Sequence, residues 1–81
     1  MMYVIYTTWL KREWVPCLGL GTYTLEDEAL TVAQNTAAAE RAAFPNDPSR
    51  IVVVECTNFP KTMDNATVAA LMATGKAITV I

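Results

Sequence analysis

Apolar and polar positions mark out six elements along this chain. Residues 2–9, MYVIYTTW, are rich in β-branched and aromatic side chains and hold no breaker, which predicts a strand. Alternation puts Val4 and Tyr6 on one face and Tyr3, Ile5 and Trp9 on the other. Both faces are therefore apolar, so the strand is either covered on both sides or leaves one side for a partner. After a polar turn at residues 10–12, residues 13–23 return as a second strand and close a hairpin. Pro16 cannot donate to a ladder, which sets this strand at an edge or introduces a bulge. Gly19 and Gly21 loosen its second half.

The period then changes. Residues 24–44, TLEDEALTVAQNTAAAERAAF, place Ala29, Leu30, Ala33, Ala37 and Phe44 on one helical face, with Val32 and Ala43 on its flank. Asp27, Thr31, Gln34, Asn35 and Ala38 face water. Thr24 is the expected cap, with Asp27 in the capping-box position. Glu26, Asp27 and Glu28 sit where the helix dipole favours negative charge, so they need no metal or acid–base role. Glu40 projects near the apolar midline. It either reaches past the sheet edge, pairs with Arg41 or Arg50, or meets a partner's base.

Residues 45–49, PNDPS, end the helix in a turn. Residues 50–57, RIVVVECT, carry a continuous apolar run, which implies an interior strand. It is expected antiparallel to the first strand, giving the order second, first, third. A link at 58–62 leads to a second helix from Asp64, or Thr62, to Thr74, ended by Gly75. Residues 76–81, KAITVI, form a last strand, whose free edge is ready to pair. The expected fold is α+β, ββαβαβ, a four-stranded and mostly antiparallel sheet with both helices packed on one face. It forms a single domain over residues 1–81.

Composition adds a shortage of charge: 53% of residues are hydrophobic and 17% charged, against about 25% in ordinary domains. So small a domain has too much surface for so few charges to cover, which points to burial against another chain, self or foreign. The alternative is a monomer whose alanines inflate the apolar count. No apolar run approaches the ~20 residues of a membrane-spanning helix. With no signal peptide ahead of the first strand, a reducing cytoplasm and free thiols at Cys17 and Cys56 are expected, although a disulfide between them is possible. Two cysteines and no histidine leave no four-ligand zinc site, and no cofactor is expected.

Catalysis has little material. Histidine, the commonest base near neutral pH, is absent, and both cysteines lie in apolar strands. The G-x-G at Gly19 and Gly21 lacks the third glycine of a dinucleotide fingerprint and follows a hairpin arm. Asn65-Ala66-Thr67 matches a glycosylation sequon by chance. Nucleic acid is a poor fit: the basic residues are scattered and the pI is about 4.8. A sheet face bearing Tyr3, Tyr6, Trp9 and Trp14 could stack bases but has no basic groove beside it. Eight acidic residues are too few for an acidic decoy of DNA.

Protein recognition is the reading that fits. Trp9 and Trp14 flank the hairpin turn, with Lys11 and Arg12 at its tip, and Trp and Arg are favoured binding anchors. Tyr3 and Tyr6 on the sheet and Glu40 on the helix complete the candidate surface. The competing reading has both tryptophans capping the end of the core.

The order of segments over residues 1–57 resembles short bacteriophage and mobile-element accessory proteins, of which anti-CRISPR proteins are one class. The shared layout is the M-x-Y-V-I-Y start, the tryptophan hairpin, GTYTLEDEA entering an Ala-rich helix, and a V-V-V-E strand. The resemblance implies inhibition of a host enzyme or defence complex by surface occlusion, in a bacterial cytoplasm, and assigns no residue roles. A homo-oligomeric accessory protein is the alternative.

Overall fold

The computed structural model describes residues 1–8, 13–46 and 49–80. Its strands are β1 (Met2–Thr8), β2 (Glu13–Pro16), β3 (Thr22–Tyr23), β4 (Ile51–Cys56), β5 (Met63–Asp64) and β6 (Ala77–Thr79). Its helices are α1 (Glu26–Ala43) and α2 (Asn65–Ala73), with a 3-10 turn at Leu18–Leu20. The fold is α+β. All pairings are antiparallel, in the order β5-β2-β1-β4-β6, with β3 also on β1. The expected order, with the first strand between the second strand and β4, is present. The expected four-strand count is not.

The extra strands have physical causes. Residues 13–23 do not run as one strand. Tyr6 pairs with Pro16 and Val4 with Thr22, so residues 17–21 stand opposite Ile5 alone. The Cys17 amide still donates to the Ile5 carbonyl (2.8 Å) before the chain tightens into the 3-10 turn. Gly21, at φ +91°, returns it to β1 in a conformation other side chains rarely adopt. Further on, Met63 and Asp64 pair with Trp14 and Glu13, outside β2.

Helix α1 begins at Glu26, not at Thr24. Leu25 is the N-cap, extended at φ −114° and ψ 129°, and no side chain caps the helix. The Thr24 hydroxyl is thus one residue too early for its expected cap. Ala29, Ala33 and Ala37 recur every fourth residue, and all three are buried against Ile5, Ile51 and Val53. Phe44 departs from its expected place. The helix has ended, its backbone turns to φ −134°, and its ring is 63% exposed.

Helix α2 covers the opposite face, against the expectation of both helices on one side. Val68, with Leu71 and Met72, packs on Val4, Tyr6, Val52, Val54 and Ala77. Its ends are well specified. The Asp64 carboxylate accepts from the Thr67 amide (2.7 Å), which holds that carboxyl below its usual range. At the other end the Gly75 amide donates to Met72 O and the Lys76 amide to Leu71 O, a Schellman closure with Gly75 at φ +78°. The route sets the side. From β4 the chain passes beneath the sheet to its far edge at β5, and α2 brings it back to β6. The nine residues of α2 span about 13 Å of the roughly 19 Å between those edge strands. The apolar alternates of β1 and β4 are thereby buried on both faces.

Candidate functional site

Two features of the described residues can do something besides hold the sheet: a cleft between α2 and the hairpin end of the sheet, and the outer edge of β6.

The cleft is built from backbone outward. Thr8 closes β1, and its amide donates to the Arg50 carbonyl (3.0 Å). The Arg50 amide donates to the buried Thr8 hydroxyl (3.0 Å), which fixes Arg50 at the entrance to β4. Across the sheet Trp14 pairs with Thr8, and its side chain is only 2% exposed. Its Nε1–H donates to Asn65 Oδ1 (2.8 Å), tying β2 to the first turn of α2. The Arg50 guanidinium carbon lies 5.9 Å from the centre of the Trp14 ring, a cation–π distance. These groups, with Val68, Ala69 and Met72, line an open cleft of about 460 Å³. A smaller one, about 260 Å³, lies under residues 57–61 beside Tyr6, Cys56 and Leu71.

The β6 edge follows from register. The Glu55 amide donates to Lys76 O and the Val80 amide to Ile51 O, both at 2.8 Å. Lys76, Ile78 and Val80 therefore turn their backbone groups toward β4, while Ala77 and Thr79 turn theirs away. Among the described residues no strand pairs with that outer side. The opposite edge is blunted by Pro16, the 3-10 turn and the two-residue β5.

The sequence candidates do not converge. Trp9, Lys11 and Arg12 lie outside the described residues. Trp14 is a core residue, the capping role that stood as the alternative. Tyr6 is 1% exposed, and its hydroxyl donates to the Lys61 carbonyl (2.8 Å). Tyr3 is half-buried on the α1 face, where burial and then Glu55 and Glu26 raise its phenol. With Tyr3 on the face opposite Tyr6 and Trp14, these three rings form no common stacking surface. Glu40 is half-buried near Cys17, away from the cleft's lining. No cation pairs with Glu40 among the described residues.

Both cysteines are free and half-buried. Burial raises both thiols, and Glu40 raises Cys17 further, so neither is activated as a nucleophile. No cluster suited to a metal occurs among the described residues. No helix there is long and apolar enough to cross a membrane. Arg50 and Asn65 were not sequence candidates. Asn65 meets Trp14 across 51 positions, a separation that leaves no local pattern.

Burial, and secondarily the Cys56 thiol beside it, pushes Tyr6 from 10.0 up to about 12. The folded chain therefore keeps this proton longer than the unfolded chain. The resulting stability is intact below pH 10.0 and lost as pH rises toward about 12. Urea midpoints across that window should fall more steeply for the wild type than for Tyr6→Phe, in which the two cysteines and Tyr3 still titrate. Parallel slopes would contradict the assignment.

Comparison with protein-family models, curated proteins and solved structures finds no match to this chain.

Proposed function

We propose that this chain is a non-catalytic protein-binding module that recognises its partner by strand addition at β6. By the resemblance of its layout to phage accessory proteins, it acts as an inhibitor that occludes a surface of a host enzyme or defence complex. The outer edge of β6 carries this reading. Both sheet faces are already covered, the opposite edge is blunted, and β6 presents the outward backbone groups of Ala77 and Thr79. The lack of histidine and the raised thiols favour binding over catalysis.

The same edge supports a second reading, a homodimer. Antiparallel pairing of β6 with its copy about a two-fold axis would continue the sheet through both chains. Light scattering separates the two: self-pairing doubles the 8.9 kDa mass.

Thr79→Pro tests the edge itself. It removes the outward N–H without touching the β4 ladder. Binding to a partner captured from bacterial lysate, or to a second copy, should weaken by more than about tenfold, the equivalent of one good hydrogen bond. Thr79→Val keeps the amide and should bind like the wild type. Full binding by a folded Thr79→Pro variant would sink the proposal.

A further inference from the structure

We infer that the cleft between α2 and the hairpin end is a binding site for a small amphiphilic carboxylate, its head on Arg50 and its apolar body along α2. This is independent of the β6 edge.

The head group follows from Arg50. Its backbone is held from both sides by Thr8, so the side chain starts from a fixed point. Its guanidinium lies over the Trp14 ring, and Trp14 is in turn anchored on Asn65. At 5.9 Å from the ring centre the guanidinium keeps N–H donors to offer, and their planar fork is the shape that matches a carboxylate. Among the described residues no carboxylate pairs with it. One guanidinium balances a single negative charge, which favours a carboxylate over a phosphate dianion.

The body follows from the walls. Beyond Arg50 the cleft is bounded by Val68, Ala69 and Met72 on α2. Its volume of about 460 Å³ lies within the range of small-molecule sites, roughly 300–1,000 Å³. An apolar wall with one oriented cation is the arrangement that selects an amphiphile over a free ion.

Octanoate, octanol and inorganic phosphate are the probes, titrated into the full chain and followed by amide and indole N–H shifts. Octanoate should give saturable shifts at the Trp14 indole and the Val68, Ala69 and Met72 amides. Octanol and phosphate should each bind at least about tenfold more weakly, because each lacks one half of the recognition. Arg50→Gln should weaken octanoate by a similar factor. Ala69→Phe, at an exposed position of α2, should fill the cleft and abolish binding without loss of fold. Equal binding of octanol or phosphate, unchanged octanoate binding in either folded variant, or no saturable shift at these residues would overturn the inference.

Discussion

Trp14→Ala should lower the unfolding free energy by about 3–5 kcal/mol, the range for a buried tryptophan cut to alanine. Domains are commonly stable by only about 5–15 kcal/mol, and a chain this short belongs near the lower end. The variant should therefore be largely unfolded at physiological temperature. Trp14 joins three parts of the fold. Its backbone pairs with β1 and β5, its ring packs with Tyr6 and Val68, and its Nε1–H reaches Asn65 on α2. Trp14→Phe keeps an aromatic body and loses the hydrogen bond, and should cost about 1–2 kcal/mol. Urea unfolding monitored by circular dichroism checks both. A loss below about 1 kcal/mol for Trp14→Ala would show that the ring is not part of the core. Loss of partner binding in that variant would report stability rather than an interface.

The second large effect is expected from a smaller residue. Ala33 is fully buried between α1 and the sheet. Ala33→Leu must push the helix off Ile5, Ile51 and Val53 or force them from their rotamers, at about 1–3 kcal/mol. Ala38→Leu, on the exposed side of the same helix, should change stability by no more than about 0.5 kcal/mol. The difference between these two urea midpoints measures how closely the helix lies on the sheet. Similar midpoints would contradict the burial of the alanine row.

What was legible in the sequence was local. The alanine row at helical spacing, the apolar run of β4 and Gly75 as a helix stop all rest on contacts a few residues apart. The length of the excursion after Pro16 was not readable, because residues 17–21 are placed by where β3 rejoins β1. The cap failed by one position for a similar reason. Leu25 is held extended as the chain leaves β3, so Thr24 falls outside the helix. The largest miss was the side of the sheet that α2 covers. That is set by the path from β4 to β5, which no periodicity encodes; apolar groups on both faces of β1 are equally consistent with a second cover from this chain and with a face left for a partner. In the sequence Trp14 fits a binding anchor and an interior residue equally well. Its pairing with Thr8, on the face shared with Tyr6, decides for the interior. The cleft groups Arg50, Trp14 and Asn65 are brought together only by tertiary structure.

The route of α2 across the sheet also constrains the order of assembly. A helix of nine residues is too short to persist alone in water. It has no sheet face to lie on until β1 and β4 are paired, and its two ends belong to strands on opposite margins. In kinetic terms α2 is expected to behave as a latch rather than a nucleus. Helix α2 is therefore expected to form after β1 and β4 have paired, with low φ-values for substitutions at Val68 as the check.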